Sequence, residues 1–150
     1  MEEASNVKFR LVSIDNEKLV SNIDDFDLDS LADDKLRFQY KTDTVIKLSL
    51  NIFEVTPCAR YSYEGRPLFQ ASVSFVFTAD NLDSVVSVDK ENRRVVVRAD
   101  IFPSLVGAAY NSLRGIVFAR MSSTGLAKYP LPLIDVQTLT RKNGISVENL

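Results

Sequence analysis

The chain has 150 residues, of which 45% are hydrophobic and 25% charged, and its formal net charge is −2. A domain of this length buries roughly 70% of the surface that its unfolded chain exposes, and we expect a single domain over residues 1–150. The 18 basic and 20 acidic residues do not supply the concentrated positive charge that nucleic acids require. We therefore expect no nucleic-acid partner.

The chain has no histidine and a single cysteine, Cys58. Histidine is the commonest general base and metal ligand, and it activates most nucleophilic serines and cysteines. One cysteine cannot form an intrachain disulfide or a thiolate cluster, and the five glycines form no phosphate-binding motif. We predict a protein that is not an enzyme, with no catalytic residues, no metal site and no cofactor.

The amino terminus is acidic and polar, whereas a secretory signal begins with basic residues and continues with an apolar run. No stretch approaches the roughly 18 consecutive apolar residues that span a membrane. These two observations predict a cytoplasmic protein that does not insert into membranes.

The first predicted strand is Val7 to Ile14. It ends at Asp15 and Asn16, because these residue types are typical of turns. The following region, Glu17 to Asp34, is rich in aspartate. We predict that it is irregular, because aspartate side chains compete for the backbone hydrogen bonds of helices and strands. It is either a solvated loop or an acidic surface that docks a basic partner. Calcium binding is disfavoured because the glycine and final glutamate of an EF-hand loop are missing. The candidate docking residues are Asp24, Asp25, Asp27 and Asp29.

The clearest pattern is the alternation of apolar and polar residues from Leu36 to Ile52, which predicts one long strand with a single buried face. A second alternating run, Phe69 to Ala79, predicts its antiparallel neighbour. Phe53 and Val55 break the alternation, so we expect either a bulge or a strand covered on both faces there.

A loop is predicted between Thr56 and Pro67, because proline occurs at both of its ends and glycine at the second. This loop contains Tyr61 and Tyr63. The two tyrosines either fold back over the sheet or form a contact surface, since tyrosine offers apolar area with a polar tip.

The second half of the chain changes from strand to helix patterning. Short strands are predicted at 85–88 and 93–99, and apolar residues recurring every three or four positions predict a helix from Asp100 to Met121. Prolines keep 129–134 extended, Asp135 caps a short helix over 136–143, and 145–150 is a loose tail. The predicted fold is α+β: a four-stranded antiparallel sheet followed by a long helix and a short C-terminal helix. Such a sheet with two late helices leaves apolar surface uncovered, which favours a homo-oligomer.

Three elements of the carboxy-terminal third occur in a characteristic order: Leu113-Arg114-Gly115, Leu131 and Ile134-Asp135-Val136. In this they resemble the protein-export chaperone family SecB. The first element falls at the Ala-Arg-Glu of that family's long helix, the leucine at a leucine of its helix crossing, and the third element at the Val/Ile-Asn-Phe that begins its last helix. Glycine here replaces the glutamate, and valine replaces the aromatic residue. The resemblance implies a dimer of dimers, with helices between two outer sheets and with apolar grooves that hold non-native polypeptides. It also implies docking of a SecA-type motor on an acidic surface.

We therefore predict a SecB-like holdase, a chaperone that captures unfolded clients without a cofactor. A protein-binding module of the same fold with one dedicated partner, such as an antitoxin, is an alternative, and so is a carrier of a small apolar ligand. Each candidate groove residue has ordinary core packing as its alternative. The candidate polypeptide-binding residues are Phe53, Tyr61, Tyr63, Leu131, Leu133, Ile134, Val136 and Leu139.

Overall fold

The computed structural model describes residues 8–80 and 82–148. It is a mixed α+β structure, as the sequence predicts. The strands and helices are, in chain order, β1 (Phe9–Ser21), β2 (Leu36–Lys47), β3 (Ile52–Tyr63), β4 (Arg66–Ala79), β5 (Val86–Asp89), β6 (Arg94–Val97), α1 (Ile101–Met121), α2 (Val136–Arg141) and β7 (Asn143–Glu148). Short 3-10 helices occupy several of the connections.

The main sheet has five strands in the order β1-β4-β3-β2-β7, and β5 and β6 form a separate two-stranded sheet. The first four strands of the main sheet pair antiparallel. The prediction of four strands is wrong because β7, expected to be a loose tail, pairs parallel with β2. Ile145 and Val147 alternate with polar residues over a stretch too short to identify a strand from the pattern alone.

The predicted long strand from Leu36 to Ile52 is two strands joined by a tight turn. A 3-10 helix at Leu48–Leu50 ends β2, and Asn51 adopts a left-handed conformation with φ of 55° before β3 begins. Asparagine tolerates this conformation better than most residues. The alternation is confirmed up to Ile46, and the break at Phe53 comes from this reversal of the chain rather than from a bulge.

Tyr61 and Tyr63 lie on strand β3, so the prediction that they occupy a loop is wrong. The misleading residue is Pro57, which lies in a strand that is paired on both sides. Proline has no N–H to donate, and the β3–β4 pairing is interrupted at Thr56 and Pro57 before it resumes in the same register at Cys58. A hydroxyl–hydroxyl bond of 2.8 Å between Thr56 and Ser74 spans the interruption.

Strand β1 continues past its predicted end at Asp15 and Asn16. The register with β4 shifts between Asp15 and Lys18, and Asn16 has a φ of 55°. The turn residues therefore make a bulge within a strand instead of ending it. Val7, the predicted first residue of this strand, lies outside the described residues.

Helix α1 packs against β3 and β4. Its apolar stripe is confirmed, since Phe102, Leu105, Ala109 and Leu113 are buried in one core with the inward-facing side chains of the sheet. Helix α2 packs on α1. The Asp135 side chain caps α2 by accepting a hydrogen bond from the Thr138 N–H at 2.9 Å, as predicted. The helix ends at Arg141, two residues before the predicted end.

Candidate functional site

Residues 129–134, which lead into α2, form neither helix nor strand, and we call this segment the crossing. Pro130 and Pro132 have no N–H, and the carbonyl oxygens of the crossing are bonded by side chains. Tyr61 Oη donates to Pro130 O at 2.8 Å, Arg114 Nε to Leu131 O at 3.1 Å, and Tyr110 Oη to Pro132 O at 2.5 Å. These three donors fix the crossing against both the sheet and α1.

Beside the crossing lies a group of half-buried rings, which we call the aromatic patch: Phe38, Tyr61, Tyr63 and Tyr129. The ring centre of Tyr61 is 5.1 Å from that of Phe38 and 6.4 Å from that of Tyr129. Tyr63 lies two residues further along β3, and alternate residues of a strand point to the same face. The patch therefore extends from the crossing to the end of β3.

Burial raises the pKa of Tyr61 and of Tyr110 above the ordinary value. The Arg114 guanidinium beside Tyr110 opposes this rise in pKa, because a positive charge favours the tyrosinate. Burial, together with the neighbouring Tyr110, also raises the pKa of Tyr40. The hydroxyls that donate to the crossing therefore keep their protons throughout the neutral and mildly alkaline range.

Residues 22–35, which we call the strap, connect β1 with β2 through three short 3-10 helices. Both ends of the strap are attached to the sheet. At one end the Asn22 N–H donates to Leu68 O at 3.0 Å, and at the other the Glu64 N–H donates to Lys35 O at 3.4 Å. The Lys35 ammonium also pairs with the Glu64 carboxylate at 2.9 Å.

The middle of the strap lies on the end of the aromatic patch. The Phe26 ring meets the Tyr63 ring edge to face, with centres 6.1 Å apart, and the Arg66 guanidinium lies 4.6 Å from the centre of the Phe26 ring. The Ala32 N–H donates to Tyr63 Oη at 3.1 Å. Beyond these contacts, Asp29 pairs with Lys128 at 2.6 Å. The strap thus joins the end of β3 to the 3-10 helix that precedes the crossing.

The eight predicted polypeptide-binding residues do not form one surface. Phe53, Leu131 and Leu139 are buried in the core, which is the alternative that the sequence left open for each of them. Leu133 and Val136 are exposed, at 81% and 43%. The remaining three, Tyr61, Tyr63 and Ile134, are half-buried. Only the two tyrosines belong to the aromatic patch.

The four predicted docking aspartates have different environments. Asp24 and Asp25 are exposed in the first 3-10 helix of the strap. Asp27 accepts a hydrogen bond from the Asp29 N–H at 3.2 Å. The Lys128 ammonium beside Asp29 holds the pKa of that carboxyl below its usual range, through a hydrogen bond and through its charge. Two of the four carboxylates are therefore already used within the chain.

The clefts in the described part of the chain include two that are open to solvent. One, of about 310 Å³, is lined by Gln39, Tyr40, Lys41, Cys58, Arg60 and Gln70. The other, of about 320 Å³, is lined by Asn111, Arg114, Gly115, Phe118, Pro130 and Leu131, and so borders the crossing. An apolar-ligand carrier would need an enclosed apolar pocket, which neither cleft provides.

Comparisons of this chain with protein-family models, curated proteins and solved structures found no match. The resemblance to SecB therefore stays a prediction, supported by residues 113–136. In residues 8–80 and 82–148, no three Cys, Asp or Glu side chains cluster closely enough to hold a metal ion. Within the same ranges, no helix has the length and apolarity needed to cross a bilayer.

The sequence analysis missed the donors to the crossing and the contact of the strap with Tyr63. A signal for the donors was present, because an extended segment with two prolines leaves carbonyl oxygens that need partners. Tyr110 and Arg114 recur at helical spacing beside the apolar stripe, where they can reach such a segment. No sequence pattern predicts the contact of Phe26 with Tyr63, because it depends on where the strap lies relative to the end of β3.

Proposed function

We propose that this chain is a SecB-like holdase that binds non-native polypeptides on the aromatic patch. The observation that carries this proposal is the group of half-buried rings at Phe38, Tyr61, Tyr63 and Tyr129. Three of them, Phe38, Tyr61 and Tyr129, pack against the hydrophobic core while part of each stays exposed. Aromatic rings supply a large apolar area with few rotatable bonds, and they bury client side chains without reading a defined sequence. The arrangement suits capture of unfolded segments and involves no cofactor.

We further propose that the working form is a homo-oligomer, the dimer of dimers that the resemblance to SecB implies. Supporting this, apolar side chains stay exposed on the edge strand β1, where Leu11, Val12, Ile14 and Val20 have exposed fractions between 43% and 55%. Phe118 on α1 is 65% exposed. Several exposed large apolar side chains on one strand and one helix favour an interface, because large apolar patches on a protein surface commonly mark one. A SecA-type motor docking at Asp24 and Asp25 stays a prediction.

The test is suppression of the aggregation of chemically denatured malate dehydrogenase, measured by light scattering. We expect suppression near a stoichiometric ratio. The double variant Phe38→Ser/Tyr129→Ser should need about tenfold more protein for the same effect. A factor of ten corresponds to about 1.4 kcal/mol, and the two half-buried rings together lose about this part of the apolar area that a client would cover. Val96→Ser is the matched control, since Val96 is 61% exposed on β6, in the other sheet, and should change nothing.

Absence of suppression by the assembled wild-type protein contradicts the holdase proposal. Where the wild-type protein does suppress aggregation, a pull-down from a lysate distinguishes general capture from a dedicated partner. A broad set of captured proteins supports the holdase. One dominant species would replace it with the alternative of a binding module for a single partner.

A further inference from the structure

The strap fills part of the surface that the proposed function offers to clients. Tyr63 belongs to the aromatic patch, yet its hydroxyl accepts a hydrogen bond from Ala32 and its ring packs against Phe26, both within the strap. In the free chain, the end of the patch is therefore covered by the chain's own residues. A client segment that used all four rings would have to replace these contacts.

The middle of the strap packs against the core through four apolar side chains, none of which is fully buried. They are those of Ile23, Phe26, Leu28 and Leu31. The central ion pair of the strap joins an 86% exposed Asp29 side chain to a 55% exposed Lys128 side chain, and exposed pairs of this kind add little stability. Segments with few buried contacts are the ones that open locally in folded proteins. Because both ends are bonded to the sheet, the middle can lift while the strap stays attached.

We propose that the strap is an intramolecular ligand of the aromatic patch, and that a client binds at Tyr63 by displacing it. This inference rests on the proposed function, since it describes how the same surface is kept closed and opened. The contacts of the strap also define the client chemistry: a short peptide segment with aromatic and aliphatic side chains between carboxylates. Arg66, which lies over the Phe26 ring, and Lys128, which pairs with Asp29, become available to such a client when the strap lifts.

A disulfide across the strap tests this directly. A β-carbon built on Gly125 lies 3.7 Å from Leu28 Cβ, and disulfide-bonded cysteines have β-carbons about 3.5–4.5 Å apart. The variant Leu28→Cys/Gly125→Cys, in a Cys58→Ser background, can therefore lock the strap closed when oxidised and release it when reduced. The two states share one sequence, so a difference between them reports the lock and not a folding defect.

The probe is a fluorescein-labelled peptide with the sequence of residues 22–35, whose binding is followed by fluorescence anisotropy. We expect the oxidised variant to bind this peptide at least tenfold more weakly than the reduced variant. Leu28→Cys alone, in the same background, is the matched control and should not respond to oxidation. A peptide in which every aspartate is replaced by lysine should bind the reduced variant at least tenfold more weakly than the original peptide.

A substitution that crowds the strap gives a second, independent test. A methyl group on Gly125 would lie 2.5 Å from Leu28 Cδ1, the movable end of that side chain, so Gly125→Ala displaces the Leu28 side chain and weakens its packing in the strap. We expect Gly125→Ala to bind the labelled peptide several-fold more tightly than wild type. Gly115→Ala is the control, because a methyl group added at Gly115 would contact no atom within 4 Å. This substitution should leave the affinity for the labelled peptide unchanged.

Equal peptide binding by the oxidised and reduced forms, or no binding by the reduced form, would overturn this inference. Suppression of malate dehydrogenase aggregation is measured on the same two samples. Suppression that is equal in both forms leaves the holdase standing and rejects the strap as its gate. A redox-dependent affinity for the peptide, with no suppression in either form, keeps the strap as a displaceable ligand and rejects the holdase.

Discussion

At the residue scale, the tyrosine hydroxyls that bond the crossing carry a measurable share of its stability. We expect Tyr110→Phe to lower the free energy of unfolding by about 1–2 kcal/mol, because Pro132 O loses its donor while it stays partly buried. Urea unfolding at pH 7 measures this. Tyr129→Phe is the matched control, since its hydroxyl donates to none of the three carbonyl oxygens bonded by Tyr61, Arg114 and Tyr110.

The same hydroxyls predict how stability depends on pH. Burial raises the pKa of Tyr110 in the folded chain, whereas an unfolded tyrosine has a pKa of about 10. Above about pH 10 the unfolded state therefore loses its proton first, and stability falls as the pH rises toward the folded pKa. Below pH 10 the contribution is complete. Urea midpoints from pH 8 to 11 should fall less steeply in Tyr110→Phe than in wild type, and equal slopes would contradict the assignment.

At the element scale, β7 closes the edge of β2 through parallel pairing from Thr42–Asn143 to Lys47–Glu148. Val147 packs its half-buried side chain against the core. We expect Val147→Asp to release β7, because burying an unpaired carboxylate is strongly unfavourable. Amide hydrogen exchange of Thr42, whose N–H donates to Lys142 O at 3.1 Å, should then accelerate at least tenfold.

The control for β7 is Ser146→Asp, which places the same carboxylate on the adjacent, exposed position of the strand. Its hydrogen exchange at Thr42 should match wild type. Acceleration by both variants would show that β7 responds to charge in general, and unchanged exchange in Val147→Asp would show that the pairing contributes little.

The elements differ in how well the sequence predicts them. Periodicity identified β2, β4 and α1 because each places apolar residues at regular spacing on the face that it turns to the core. Burial in β4 extends further than the pattern indicates, since Ser74 and Val76 on its other face are also buried. The turn at Asn51 escaped prediction because Leu48 and Leu50 continue the alternation of β2. Pro57 and Asn16 wrongly indicated chain breaks, since the sheet accommodates a missing donor and a bulge. Local sequence patterns do not predict which strands pair with each other, and the pairing of β2 with β7 is an example.

The candidate site was less predictable than the fold. Tyr61 and Tyr63 were identified from their residue type, whereas Phe38 and Tyr129 join them only through the three-dimensional arrangement of β2, β3 and the crossing. Leu131 and Leu139 were plausible groove residues in the sequence but lie in the core. Leu131 lies in the crossing and Leu139 on the six-residue helix α2, and an apolar residue in so short a segment gives no local sign of whether it faces inward.

At the scale of the whole molecule, the exposed face of α1 predicts association. Phe118 is 65% exposed in the single chain. We expect wild type to elute as an oligomer in size-exclusion chromatography with light scattering. Phe118→Asp should raise the dissociation constant of the oligomer at least 100-fold, because a carboxylate at an apolar interface loses its hydration without gaining a partner. Val96→Asp is the control. A monomeric wild type would contradict the oligomer proposal.

The pairing of β7 with β2 has a consequence for synthesis. The Thr44 and Asn143 side chains that bond across this edge at 2.8 Å are 99 positions apart in the chain. While the ribosome is still translating the intervening codons, β2 presents an unpaired edge, and such edges recruit strands from other polypeptides. Slow or paused translation before Asn143 should therefore raise the fraction of nascent chains that misassemble. Faster translation of the same codons should lower that fraction.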